Sequence, residues 1–210
     1  MQNRNKDNLR TILYGAAGFL GCAIIYLLLI ASCIWQSHYG VESETAIEWV
    51  QDIVLGATAV VFYLLAAKIP QERGGLLLIA GFMTCLFIRE QDAYFDLISH
   101  GFWKYVMIAY LVVLFGYIWR RGIPEALEGV AEFVRSKAFI TMLAGVGMLL
   151  VYSRLYGSDK FVWSLFIEEP HWRYIAKRLS EESMELMSYA LMLISACSYY
   201  AARLCGPKKH

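Results

Sequence analysis

Charge is scarce in this chain. Asp, Glu, Lys and Arg make up 18% of its 210 residues and hydrophobic residues 59%, where a soluble domain carries about 25% and about 45–50%. The formal net charge is +1, and no basic stripe accompanies a nucleic-acid-reading motif, so binding to DNA or RNA is excluded. The five cysteines, Cys22, Cys33, Cys85, Cys197 and Cys205, include no CxxC pair. That removes zinc-finger and dithiol redox chemistry and leaves them as small buried hydrophobes. GxSxG, HExxH and HxxxH are all missing, and with them the familiar hydrolase and zinc-protease frames. No internal repeat, low-complexity tract or second domain is present. No inverted repeat or glycine- and proline-broken helix pair marks a secondary transporter.

What the chain does have is apolar length. A membrane-crossing helix needs about 20 mostly apolar residues. Runs at 9–35, 46–68, 75–100, 102–119, 138–156 and 182–204 meet that need. They predict an all-α, polytopic membrane helical bundle: one transmembrane domain over 1–210, with six transmembrane helices. The first run is too long for a signal-peptide core and has no A-x-A-like site after it. The third is cleanly apolar only to Ile88, so it spans only if Arg89, Glu90 and Asp92 continue the helix. Gly101 is a natural stop, because glycine accepts a left-handed cap.

Orientation follows from Lys and Arg in the connections. Arg4, Lys6, Arg10, Lys68, Arg73, Arg120, Arg121, Arg135, Lys137, Arg203, Lys208 and Lys209 fall on one side, twelve of the nineteen basic residues. That side is cytoplasmic, which places both termini inside. The stretch from Pro124 to Val134, with Val130 and Phe133, reads as an amphipathic helix on the cytoplasmic surface. The segment 158–180 mixes Phe161, Trp163, Leu165, Phe166, Trp172 and Tyr174 with charges and reads as an outer interfacial segment. Trp35, Trp49, Trp103, Trp163 and Trp172 fall on the outer side and Trp119 inside, as interfacial anchors do.

Acidic residues gather at the outer ends of the spans, where a charge must face the bundle interior and find partners. Glu44, Glu48 and Asp52 recur at helical spacing, with Gln51 beside them. Arg89, Asp92, Asp96 and His100 follow on one face if the helix is continuous, with Glu90 directed elsewhere and Lys104 beyond. Glu182, Glu185 and Tyr189 share a face of the last span, flanked by Glu181. Three stripes at one level predict a shared polar cavity open outward. Arg89 is expected at its centre, held by Asp52 or Glu185, with Lys104 paired to Asp96 or His100.

The runs FIREQDAYFDLISHGFWKY (87–105), ESETAIEWVQ (42–51) and EESMELMSY (181–189) resemble multi-pass bacterial inner-membrane proteins to which no activity is assigned. The resemblance implies a bacterial inner membrane and no reaction. From the residues themselves three readings remain. The first is a buried ion-pair network. The second is a binding, transport-like or assembly protein, whose ligand-binding residues Glu48, Gln51, Asp52, Arg89, Glu90, Asp92, Lys104, Glu182 and Glu185 hold a cation, proton or polar lipid headgroup. The third is a membrane-embedded, metal-dependent hydrolase or transferase acting on a lipid-linked substrate. There His100 and Asp96 are the catalytic candidates, and Asp92, Asp96, His100 and Glu185 the candidate ligands of a divalent metal ion. Ser99 and His100 make no triad, because adjacent helical residues diverge by about 100°. Partners are membrane lipids and a second copy or another membrane protein.

Overall fold

A computed structural model of the chain describes residues 46–205 and, ahead of them, isolated helical positions between 12 and 38. The span expected over 9–35 therefore lies outside the continuously described part, as do Glu42, Glu44, Cys22 and Cys33. The described elements are all helical.

Helix α1, Ala46–Lys68, has Glu48 in its first turn and Lys68 in its last, each complementing the helix dipole. Pro70 opens a 3-10 turn, Pro70–Glu72, that reverses the chain into α2, Arg73–Glu90. Helix α2 ends there. Gln91 leaves helical geometry at φ −83°, ψ 15°, before the five-residue α3, Asp92–Asp96. The expected span 75–100 is thus corrected to a helix that stops ten residues earlier. The cause is local. An Asp96 carboxylate oxygen accepts the Gly101 N–H at 2.8 Å, and Gly101 sits at φ +79°. A side-chain-to-backbone bond of this kind offers the chain a turn in place of a helix.

Helix α4, Trp103–Arg121, meets α5, Ile123–Arg135, at a bend of 105°. Gly122, at φ 119°, makes the corner. The amphipathic stretch expected around Pro124–Val134 is α5, and its buried residues are Ala126, Gly129 and Phe133. Helix α6, Lys137–Gly147, widens into a π-helical stretch, Met148–Ser153, and resumes as Arg154–Tyr156. Helix α7, Pro170–Tyr200, takes in part of the expected interfacial segment. What remains before it is a turn in which Phe161, Leu165 and Phe166 are exposed.

Among the described residues three helices are long and apolar enough to cross a membrane, Ile47–Lys68, Pro70–Glu90 and Lys137–Tyr156, or four if the bent α4–α5 pair counts as one span. Their outward faces are apolar: Val113, Trp119 and Ile140 are each more than 70% exposed. Cys197 also lies on the surface rather than in the core.

Side-chain bonds set the helix directions. Helix α7 runs parallel to α1, with Glu48 meeting Arg178 and Lys68 meeting Tyr200. It runs antiparallel to α2, with Tyr189 meeting Glu90 and Tyr199 meeting Glu72. It is antiparallel to α6 as well, with Ser195 bonded to Ala138 and Ser153 to Glu185. Leu55, Phe62, Leu76, Met83, Met142, Tyr189 and Met192 join in one core cluster between these helices.

Lipid is as apolar as leucine, so helices in a membrane associate by close packing rather than by apolar burial. Glycines mark the closest approaches. A Cβ on Gly75 would collide with the backbone of Gly129 and Val130, where α2 crosses α5. One on Gly145 would lie 2.8 Å from the Ser188 carbonyl oxygen, while one on Gly147 would meet nothing within 4 Å. Of this Gly-x-Gly pair only Gly145 permits a close approach. Gly75→Ala should therefore destabilise the protein by ~1–3 kcal/mol through overpacking. Gly147→Ala should be neutral or stabilising by ~0.5–1 kcal/mol. Thermal unfolding of the two variants in detergent, side by side, checks this, and equal melting temperatures would contradict the crossing.

Candidate functional site

The antiparallel path brings the start of α1, the end of α2, the end of the α6 segment and the first half of α7 to one level. There the polar side chains interlock. The Arg178 guanidinium donates to Glu48 at 2.7 Å. Gln51, 1% exposed, donates to the Glu182 backbone oxygen at 2.9 Å and to its carboxylate at 3.1 Å. Tyr189 is fully buried, and its hydroxyl donates to Glu90 at 2.8 Å. Ser153 donates to Glu185 at 3.0 Å. Arg154 lies 3.6 Å from Glu185 and 3.8 Å from Glu181.

Of the expected residues, the fold gathers Glu48, Gln51, Arg89, Glu90, Glu182 and Glu185 at this level. Asp52 lies one turn along α1 from Glu48, within electrostatic reach of Glu90. Arg89 is not the expected hub. It pairs with its chain neighbour Glu90 at 3.1 Å, and neither Asp52 nor Glu185 is within ion-pair distance. Glu90, expected to point elsewhere, is the acid that links α2 to α7.

Asp92, Asp96, His100 and Lys104 lie beyond the end of α2, and all four are exposed, with Asp92 still in electrostatic reach of Glu90. His100 Nδ1 lies 2.8 Å from Asp96. Lys104 lies over the Trp103 ring rather than in an ion pair with Asp96 or His100. Among the described residues no three His, Cys, Asp or Glu side chains converge as a metal set. The candidate ligands Asp92, Asp96, His100 and Glu185 are thus not brought together, and the catalytic candidates His100 and Asp96 form an exposed pair away from the buried acids.

Arg154, inside the expected span 138–156, and Arg178, inside the expected outer segment 158–180, supply two of the three guanidiniums. The signal was present for Arg178: Arg178, Glu181, Glu182, Glu185 and Tyr189 keep three- and four-residue spacing, continuing the helix upstream of residue 182. For Arg154 there was none, because the π-helical stretch before it changes its angular position.

A second polar cluster closes the opposite end. Glu72 is 5% exposed. It accepts the Tyr199 hydroxyl at 2.6 Å and pairs with Arg203. Arg203 also lies 3.8 Å from Glu132.

No known protein family, curated protein or solved structure matches the chain.

The Asp96 turn lies beyond the end of α2. The Gly101 N–H, and then His100, hold its carboxyl below the ordinary aspartate range, which centres near 3.9. A lowered folded value means that the turn is favoured above that range and loses this support as pH falls through the lowered value. The Gly101 amide resonance should therefore titrate with a midpoint below the ordinary aspartate value. Asp96→Asn should abolish the titration. A Gly101 amide indifferent to acid in the wild type would show that the bond does not form.

Proposed function

We propose that this chain is an integral membrane protein of the bacterial inner membrane with both termini cytoplasmic, and that its outer-end network binds a proton in a transport-like or sensing role. Residues 9–35, α1, α2, α4, α6 and α7 are the six spans of this reading. The alternating directions of α1, α2, α6 and α7 support it. Helix α7 has 31 residues, about 46 Å at ~1.5 Å per residue, against a hydrocarbon core of ~30 Å. Its first part therefore stands above the hydrocarbon, carrying Arg178 at the interface.

The observation that carries the proton reading is charge imbalance. Among the described residues Glu48, Asp52, Glu90, Glu181, Glu182 and Glu185, with Asp92 in electrostatic reach of Glu90, stand against Arg89, Arg154 and Arg178 at this level. Uncompensated charge near lipid is costly, ~2.5–3.5 kcal/mol for an aspartate at a helix centre. A network with more acids than guanidiniums approaches neutrality by carrying protons. The hydroxyls suit that task. Tyr189 and Ser153 donate to carboxylates here, and a hydroxyl can equally accept from a carboxylic acid. A proton can thus enter or leave Glu90 or Glu185 without orphaning a partner.

Infrared spectroscopy of the protein in liposomes tests this. The carbonyl stretch of a protonated carboxylic acid should grow as pH is lowered and shrink in Glu185→Gln, while Glu168→Gln in the exposed turn leaves it unchanged. A band identical in wild type and Glu185→Gln would remove Glu185 from the proton site. The topology is checked separately: a periplasm-active reporter fused after Pro170 should be active, and a cytoplasm-active one silent. The reverse pattern would invert the orientation.

A further inference from the structure

A well-formed cavity lies away from the acidic level. It is a cleft of about 560 Å³ between α1, α2 and α4, lined by Tyr63, Ala67, Leu77, Tyr110 and Val113 among others, with Arg73 at one end. It lies toward the opposite end of the bundle, where α1 ends, α2 begins and α4 ends. Its walls are apolar and its far end is polar. Tyr63 and Tyr110 share a hydrogen bond of 2.6 Å, and Tyr63 lies 3.0 Å from Thr84. Ala67 and Val113 are exposed on the bundle flank, so the cleft opens sideways.

Its mouth is positively charged. Arg73 spends Nε on the Ala66 carbonyl at 3.0 Å, which fixes the guanidinium and leaves its terminal nitrogens for another acceptor. Arg121 lies over the ring of Tyr117, another lining residue, at 5.6 Å, and Arg120 precedes it. None of these three arginines forms an ion pair among the described residues. Glu72, the acid next to Arg73 in sequence, is turned into Tyr199 and Arg203. An apolar slot open to the side, with unneutralised guanidiniums at one end, matches an amphiphile that has an acyl chain and an anionic head.

We infer that this cleft is a binding site for an anionic phospholipid of the cytoplasmic leaflet, with one acyl chain between α1 and α4 and the headgroup phosphate on Arg73 and Arg121. The inference rests on the membrane orientation proposed above. Arginine is the side chain suited to the task, because its planar fork meets two phosphate oxygens at once. The neighbouring positive charges then favour a lipid with net negative charge over a zwitterionic one.

The test is native mass spectrometry of the full chain released from detergent after titration with dioleoylphosphatidylglycerol or dioleoylphosphatidylcholine. The wild type should retain the phosphatidylglycerol with about tenfold preference. Arg73→Gln combined with Arg121→Gln should bring the preference close to parity. Because Arg73 also holds the Ala66 carbonyl, a second variant is needed. Ala67→Trp, on an exposed wall, fills the slot without touching the charges, and it should reduce retention of both lipids about tenfold. Equal retention of the two lipids by wild type, or retention unaffected by Ala67→Trp, would overturn the site. Failure of the membrane reading would look different, as release of the protein from membranes by alkaline carbonate. Loss of lipid binding in a protein that stays membrane-bound would count against the cleft alone.

Discussion

A buried carboxylate needs a donor, and in an apolar slab water cannot supply one. Much of this bundle follows from that requirement. Helix α2 is flanked by an acid at each end, Glu72 and Glu90, and α7 answers both with a tyrosine hydroxyl, from Tyr199 and Tyr189. Each bond joins a fully or almost fully buried phenol to a carboxylate, and removing such a donor would leave an acid unsatisfied at a cost of ~1–3 kcal/mol or more. The two clamps fix how α2 and α7 lie along one another. Once they hold, α1 follows α7 through Glu48–Arg178 and Lys68–Tyr200, and the core residues between the clamps have one register to pack in.

The two ends differ in charge balance, and the difference divides labour between them. At the Glu72 end, acids and guanidiniums are close to parity around Arg203, Glu132 and Arg135, so the cluster serves as a closed structural plug. At the Glu185 end acids are in excess, and hydroxyls sit where they can either donate or accept. A balanced polar cluster and an acid-rich one are thereby placed at opposite ends of the same helix.

How much of this was legible in the sequence depended on continuity. Where an apolar run was long and unbroken, as over 46–68 and 138–156, the helix was readable from length alone, and its polar residues at helical spacing followed. The acids of α1 and α7 were recognised as facing a common interior because their periodicity was uninterrupted. The error at Arg89 came from extending that logic through a run of mixed charge. There, periodicity cannot distinguish a helix from a turn stabilised by Asp96 bonding the Gly101 amide. The burial of Glu72 has no sequence signature, because it sits in a short basic connection and is buried only by the tertiary arrival of Tyr199 and Arg203. The cleft lined by Tyr63 and Tyr110 has no sequence signature, since its residues come from three helices and are individually ordinary core types.

The wide turn at Met148–Ser153 has a consequence for how this bundle can change over generations. A π-helical turn holds one residue more than an α-helical turn over nearly the same rise. Deleting a residue there would leave a regular helix of similar length, and the parts on either side would keep the faces they now present. The lower half of α6 is anchored to α7 through Ala138 and Gly145, and the upper half delivers Ser153 and Arg154 to the acids. The stretch therefore acts as a buffer of helical register between two surfaces. Loss of its extra residue would leave both the Ala138 side and the Ser153–Arg154 side facing α7.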